Sequence, residues 1–107
     1  MHIHGTRDVI VPYDALLSSF ASAPATIARW RDLNECAATT TPTYENGDAT
    51  CVAADACAAG ADVVHCVIDG GGHQWPGGDS IFGGGHLSRD LDATAAIWAF
   101  FAAHPMP

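Results

Sequence analysis

Residues 62–73 read DVVHCVIDGGGH, an apolar run that ends in three glycines and a histidine. The run is rich in β-branched residues, which favour extended backbone, so we expect a strand over residues 62–68 and a loop from Gly70 onward. The start of the chain, MHIHGTRD, shows the same order, with a strand over residues 1–4 that breaks at Gly5 and a loop that carries Asp8. A strand end holds the following loop rigidly, so an ionisable residue on that loop can be part of a functional site. Two such strands predict an α/β fold here.

The rest of the chain carries helical and extended patterns. Ile27, Trp30 and Leu33 recur every three residues after Pro24, which suits the first turn of a helix. Residues 37–48 are rich in Thr, Ala and Pro and end in Asn-Gly-Asp, so we expect an irregular loop there. The remaining predicted elements are a helix over 24–34, a strand over 50–53 and a helix over 90–103. Helical spacing also predicts core positions for four aromatic residues: Trp30, Trp98, Phe100 and Phe101.

Composition limits both the size of the protein and its partners. A chain of 107 residues is a single domain, and its 49% apolar content favours a globular protein. Only 4 basic residues stand against 12 acidic ones, for a formal net charge of −8. We therefore expect no binding to nucleic acid or to anionic membrane surfaces. No apolar run reaches the length needed to span a bilayer.

Four cysteines lie within one short stretch: Cys36, Cys51, Cys57 and Cys66. An even number of cysteines in a small acidic domain predicts disulfides and an exported protein. A metal cluster is the alternative, but metal knuckles bring two cysteines within about two to four residues, and the closest pair here is further apart. Antiparallel pairing of the strands over 50–53 and 62–68 would place Cys51 near Cys66. That leaves Cys36 for Cys57, which is one of three possible arrangements.

Asp8 and His73 are the candidate catalytic residues. A carboxylate on one strand-end loop can hold the tautomer and orientation of an imidazole on the next, and the imidazole can then take a proton from a hydroxyl nucleophile. Each residue alone also has a structural interpretation. An aspartate after a strand commonly forms a turn or a cap, and a histidine beside glycines is commonly a solvent-facing loop residue. The two together favour acyl-transfer chemistry.

Distinctive motifs lie along nearly the whole chain. They are HIHGT with Asp8, VPY at 11–13, Trp30, NEC at 34–36, the cysteines at 51, 57 and 66, GGGHQWPGG at 70–78, AIWAFF at 96–101, and His104-Pro105. In this order they resemble the family of α/β-hydrolase esterases that contains extracellular poly(3-hydroxybutyrate) depolymerases, feruloyl esterases and acetylxylan esterases. The glycine-flanked His-x-Trp-Pro-Gly element is the most distinctive of the matching motifs.

The resemblance implies a fold, a reaction and site residues. It implies that residues 1–107 are the C-terminal portion of an α/β-hydrolase catalytic domain, with the last strands and helices of its sheet and a small disulfide-tied β element. Asp8 corresponds to the triad acid and His73 to the triad base, in the chain order of such enzymes. The expected substrates are esters of a polyester or of the plant cell wall, with no cofactor and no metal. Trp75 either lines an acyl or aromatic pocket beside His73 or packs the loop.

The nucleophile departs from the family pattern. Family members place a Gly-x-Ser-x-Gly elbow upstream of the aspartate, and this chain contains no such motif. The serines that lack this setting are Ser18, Ser19, Ser22, Ser80 and Ser88. The opening MHIHGT also lacks the basic and apolar segments of a signal peptide. We therefore expect Met1 to be an internal methionine or the edge of a truncation.

The other histidines have weaker claims to chemistry. His2 and His4 would lie on one face of a strand, which is half of a metal site, although the resemblance accounts for both as the strand end. His65 is expected to be a structural side chain within its strand. His86 and His104 are expected at the surface.

Three functions remain as hypotheses. The first is an esterase fragment that is weak or inactive alone. The second is a miniature esterase that uses a local serine or a water activated by His73, and the third is a non-enzymatic or metal-binding remnant of the fold. A missing half-sheet would leave a strand edge and apolar faces unpaired, which invite self-association, although the sequence leaves the oligomeric state open. The cysteines and the resemblance predict secretion.

Overall fold

The computed structural model describes residues 1–15, 19–58 and 60–105. Ser18, one of the serines considered above, lies outside these residues. Within them the chain forms, in order, β1 (His2–Gly5), α1 (Ala23–Leu33), β2 (Thr40–Asn46), β3 (Ala49–Ala54), β4 (Val64–Ile68) and α2 (Ala93–Ala103). The protein therefore has the mixed α/β architecture that the sequence predicted.

The four strands form one mixed sheet in the order β1-β4-β3-β2. β1 and β4 are parallel neighbours, with His2 opposite His65 and Gly5 opposite Ile68. β4 pairs antiparallel with β3, and β3 pairs antiparallel with β2. Because β1 and β4 run in the same direction, their carboxyl ends lie at the same edge of the sheet, and the loops that follow them both begin there.

Strand β2 corrects the irregular loop expected over residues 37–48. It pairs with β3 across a turn in which Gly47 has a φ of +52°, a conformation that favours glycine. All of its residues are exposed, and Pro42 lies beside a bulge, as is usual for proline in an edge strand. Since an edge strand exposed on both faces needs no alternation of apolar and polar residues, the pattern that reveals strands is missing here.

Both helices begin at a side-chain cap. Ser22 caps α1. Pro24 lies in the first turn of this helix, as the sequence predicted. α2 begins three residues later than expected, because Asp92 is its cap and accepts a first-turn backbone N–H at 2.9 Å. Asp90, expected within the helix, instead accepts the Asp48 N–H at 3.0 Å. The acidic residues that predicted the first turn therefore precede it.

The buried core is a small cluster on one face of the sheet. Its members are Ala49, Cys51, Cys66, Ile68 and Leu91. Ile3 packs against them from β1 and Ala96 packs against them from α2. The core therefore lies directly beneath the strand ends that carry the loops with Asp8 and His73.

Three aromatic side chains expected in the core are exposed instead. The exposed fractions are 54% for Trp30, 74% for Trp98 and 62% for Phe101. Phe100 is half-buried and stacks on His104, with ring centroids 4.3 Å apart. The buried helix positions are Ala23, Ile27 and Ala93. Helical spacing shows which residues share a face, but only packing decides which face is covered.

Two disulfides join the elements, Cys36–Cys57 and Cys51–Cys66. This is the pairing expected from the antiparallel register, in which Cys51 lies opposite Cys66. The Cys36–Cys57 bridge connects the end of α1 with the segment after β3. The two bridges indicate an oxidising environment. No helix within the described residues is long and apolar enough to cross a membrane.

Candidate active site

Glycines bring the loops after β1 and β4 into contact. A Cβ atom on Gly5 would lie 2.2 Å from the carbonyl oxygen of Gly71, so no larger residue fits at this crossing. The Arg7 N–H donates to the same carbonyl at 2.9 Å. Asp8 follows on one side of the crossing and His73 on the other, so the close approach of two backbones sets the positions of both side chains.

Asp8 and His73 are in direct contact. The Nδ1 of His73 lies 2.8 Å from Asp8 Oδ2, within the distance of a short charge-assisted hydrogen bond. The other carboxylate oxygen accepts the N–H groups of Ile10 at 2.9 Å and Val11 at 2.8 Å. Burial by itself raises the pKa of Asp8, but the hydrogen bonds from Val11, His73 and Ile10 outweigh it and lower the pKa below its ordinary value. Asp8 is therefore an ionised carboxylate fixed through both oxygens.

His73 also lines a cavity of about 440 Å³. Its side chain is 42% exposed, and its Nε2 has no hydrogen-bond partner within the described ranges. The cavity wall is largely apolar and includes Ile3, Val11 and Ile81. With Nδ1 bonded to Asp8, the neutral ring carries its lone pair on Nε2, which can accept a proton from a group in the cavity.

Trp75 combines the two roles between which the sequence did not decide. Its side chain lines the same cavity and is 54% exposed. Its indole Nε1 donates to the Thr94 hydroxyl at 2.9 Å, which anchors the ring to the first turn of α2. The packing of the loop therefore holds an aromatic surface beside His73.

Neither serine after His73 is positioned as its partner. Ser88 lines the cavity but is only 2% exposed, and its hydroxyl donates to Asp48 Oδ1 and accepts the Asp90 N–H at 3.2 Å. Ser80 is exposed. Across residues 1–15, 19–58 and 60–105, no hydroxyl group hydrogen-bonds to His73. The Asp8–His73 pair therefore has no serine hydroxyl bonded to it in the described part of the chain.

The structure adds a second aspartate–histidine pair that the sequence did not predict. His86 is 53% exposed, as expected for a surface residue, but it also lines the cavity and places its Nε2 2.7 Å from Asp48 Oδ2. Burial raises the pKa of Asp48, but the hydrogen bonds from Ser88 and His86 outweigh it and lower the pKa. Asp48 lies in the β2–β3 turn, and because β2 itself was missed, no sequence pattern placed that turn beside His86.

His2 and His4 share a strand face, as expected, and contact each other. The Nε2 of His2 lies 3.2 Å from Nδ1 of His4, and the Nε2 of His4 lies 2.8 Å from the Val11 carbonyl oxygen. The same nitrogen is 3.5 Å from Asp8 Oδ2. In the part of the chain that the structure describes, no group of three or more His, Cys, Asp or Glu side chains is arranged to hold a metal ion.

The remaining histidines lie away from His73. His65 is part of β4, and its buried Nε2 has no partner in the described residues. Burial, together with the nearby His2 and His4, lowers the pKa of His65 to about 4. His104, expected at the surface, is half-buried. Its Nδ1 donates to the Phe100 carbonyl oxygen at 2.6 Å and its Nε2 lies 2.9 Å from Asp62 Oδ2, so its contacts fix the end of α2.

The site therefore consists of a buried ionised carboxylate, an imidazole that it orients, and an apolar cavity beside the free nitrogen of that imidazole. Such an arrangement can remove a proton from a hydroxyl group or a water molecule and return it to a leaving group. No protein-family model, curated protein or solved structure matches this chain.

Proposed function

We propose that Asp8 and His73 are the acid and the base of a carboxylic-ester hydrolase. The observation that carries the proposal is the 2.8 Å contact between His73 Nδ1 and Asp8 Oδ2, with the other oxygen of Asp8 held by two backbone amides. This geometry leaves the Nε2 of His73 unpartnered among the described residues, at the wall of an apolar cavity. Both the resemblance in sequence and this arrangement support the esterase assignment.

In the proposed reaction, Asp8 holds His73 in the tautomer that carries its proton on Nδ1. The Nε2 takes the proton of a hydroxyl nucleophile as the hydroxyl oxygen attacks the ester carbonyl carbon. The same proton then passes to the leaving alcohol as the ester C–O bond breaks, and water completes the cycle with release of the acid. The sequence contains no Gly-x-Ser-x-Gly motif, so the proposed reaction uses a hydroxyl nucleophile that is supplied to the site.

The substrate proposed for the cavity is an ester with an apolar or aromatic part. Its wall includes aliphatic side chains and the anchored indole of Trp75. Esters of a polyester or of plant cell-wall polymers match such a wall, because apolar surface removed from water on binding contributes roughly 25 cal/mol per Å². The two disulfides support secretion, and such polymers occur outside the cell.

We also propose that the fold is the C-terminal portion of an α/β-hydrolase sheet. The parallel pair β1 and β4 carries the acid and the base at its carboxyl ends, and α2 follows the histidine loop. β1 ends the sheet on one side, and its outer edge has no partner strand among the described residues. That edge is where self-association, or pairing with the strand of a longer chain, would occur.

Ester cleavage with a supplied nucleophile tests the proposal. The isolated chain is given p-nitrophenyl butyrate, with and without ethanol as the hydroxyl nucleophile. We expect weak or no hydrolysis by water. Compared with the same reaction without protein, formation of ethyl butyrate should be faster by on the order of 10²–10⁴-fold at best, which is the range of general acid–base assistance.

The acceleration should disappear in His73→Ala. It should persist in His104→Ala. His104 is also paired with an aspartate, with its Nε2 2.9 Å from Asp62 Oδ2, but it does not line the cavity. Equal rates in wild type and His73→Ala would exclude His73 as the base. Efficient hydrolysis that is lost on Ser80→Ala or Ser88→Ala as well as on His73→Ala would instead establish a local serine nucleophile.

A further inference from the structure

His4 lies directly behind the triad carboxylate and is mostly buried. Its side chain is 12% exposed, and its ring meets Tyr13 edge-on at a centroid distance of 5.6 Å. Its Nε2 is 2.8 Å from the Val11 carbonyl oxygen and 3.5 Å from Asp8 Oδ2. His4 therefore contacts the loop that holds Asp8 while lying on the rigid strand β1.

The groups around His4 determine which ring nitrogen carries the proton in the neutral tautomer. A carbonyl oxygen only accepts, so the hydrogen bond to Val11 requires the proton of His4 on Nε2. In the neutral ring, Nδ1 is then an acceptor, and the contact at 3.2 Å requires His2 to donate from its own Nε2. The bonds therefore run in one direction, from His2 to His4 to Val11.

Val11 links this chain of bonds to the active site. Its N–H donates to Asp8 Oδ1 at 2.8 Å, while its carbonyl accepts from His4. The residues just before it have little other support, since Val9 is 82% exposed and Ile10 is 53% exposed. The anchor provided by His4 is what keeps the amide of Val11 directed at the carboxylate.

We propose that His4 is a positioning residue for the Asp8–His73 pair. It acts through Val11. The carbonyl of Val11 is bonded to His4 on strand β1, and the N–H of Val11 is bonded to Asp8. Removal of the His4 donor leaves the partly buried Val11 carbonyl without this hydrogen bond and the loop free to move, so Asp8 loses an amide and His73 loses its fixed partner. The proposal rests on the proposed function only in treating that pair as catalytic.

Two substitutions separate positioning from simple space filling. His4→Gln places an amide N–H near the position of the histidine Nε2 and keeps the donor to Val11. His4→Phe keeps an aromatic ring against Tyr13 and removes the donor. A residue that only fills space would tolerate Phe better than Gln, whereas a positioning residue would tolerate Gln better than Phe.

The measurement is the rate at which the His73 Nδ1 proton exchanges with solvent, by NMR on the ¹⁵N-histidine-labelled 107-residue chain. We expect exchange about fivefold faster or more in His4→Phe, as for the loss of one hydrogen bond, and within about twofold of wild type in His4→Gln. His104→Ala, at the remote pair with Asp62, should leave the rate unchanged. Backbone spectra show whether each variant is folded.

Unchanged exchange in folded His4→Phe, or a larger effect in His4→Gln than in His4→Phe, would overturn the proposal. If His4→Phe does not fold, His4→Leu decides, since it also removes the donor to the Val11 carbonyl. Faster exchange there supports the proposal and unchanged exchange overturns it. Because this measurement needs no turnover, a failure of the ester assay would leave its result standing, and its failure would leave the ester assay valid.

Discussion

The two aspartate–histidine pairs beside the cavity are similar in distance and different in construction. His73 bonds Asp8 through Nδ1 at 2.8 Å, whereas His86 bonds Asp48 through Nε2 at 2.7 Å. The second oxygen of Asp8 is held by two backbone amides, and the second oxygen of Asp48 is held by the hydroxyl of Ser88. The Asp8 side chain is 7% exposed and that of Asp48 is 20% exposed.

The two carboxylates also differ in the segments that they connect. Asp48 joins separate segments, because its N–H donates to Asp90 at 3.0 Å and its carbonyl accepts the Asp69 N–H at 2.8 Å. It fastens the β2–β3 hairpin to the chain around it. Asp8 joins only two adjacent strand ends and orients an imidazole. A contact between a carboxylate and an imidazole therefore does not identify a catalytic pair unless the elements that carry it are known.

The largest expected effect separates the two pairs by activity. Asp8→Asn should lower the His73-dependent ethanolysis of p-nitrophenyl butyrate by about 10²-fold or more, because the amide donates to Nδ1 and forces the proton onto Nε2. Asp48→Asn changes the other pair in the same way and should leave the rate within about twofold. Equal losses in the two variants would mean that the pairs are not functionally distinct.

Next in size is the bridge between the two regions. Cys51–Cys66 joins the strand after Asp48 to the strand before His73 and is buried in the core. The double variant Cys51→Ala/Cys66→Ala should lower the free energy of unfolding by about 2–4 kcal/mol, measured by urea denaturation. Removal of Cys36–Cys57, which lies outside the core cluster, serves as the matched comparison and should cost less. A larger loss there would place the main covalent constraint away from the site.

The pH dependence of stability should show separate histidine and aspartate ranges. The pKa of His65 falls from 6.5 to about 4 on folding, so between these values the unfolded chain binds a proton that the folded chain does not. Stability should therefore fall as the pH falls through that range, by about 1–2 kcal/mol after allowance for partial exposure.

The pKa values of Asp8 and Asp48 are lowered, so their contributions are present above the unfolded value of 3.8 and are lost as the pH falls below it. Urea denaturation across pH 3–7 checks both pH ranges. His65→Leu should remove the loss of stability between pH 6.5 and about 4. A stability that is flat from pH 6.5 to 4 in the wild type would contradict the assignment to His65.

The smallest expected effect concerns the hydroxyl that distinguishes the Asp48 pair. Ser88→Ala leaves Asp48 Oδ1 and the Asp90 N–H without that partner in a buried position, and should lower the free energy of unfolding by about 1–2 kcal/mol. Ser80→Ala, at an exposed position, should change it by less than about 0.5 kcal/mol. Thermal unfolding of both variants compares them, and equal values would show that Ser88 has no fastening role.

Much of the fold near the candidate site could be predicted from local patterns. The break at Gly5, the β-branched run before Gly70 and the proline in the first turn of α1 each depend on neighbours in sequence. The sequence placed Asp8 and His73 on loops that follow strands, and the resemblance implied that they meet; the parallel pairing of β1 with β4, which brings these loops to one edge, is seen only in the structure. The disulfide pairing followed from antiparallel register.

What the sequence by itself determined, then, are the elements whose cause is local: β1, β4, α1 and the loops that follow the strands. Tertiary structure alone decided which helix faces are covered, so that Trp98 is exposed and Ala93 is buried. It also decided that an exposed polar segment becomes the strand β2, and that Asp48 meets His86 from 38 residues away. The physical reason is that burial and long-range pairing depend on the surfaces that other elements offer, which no local pattern contains.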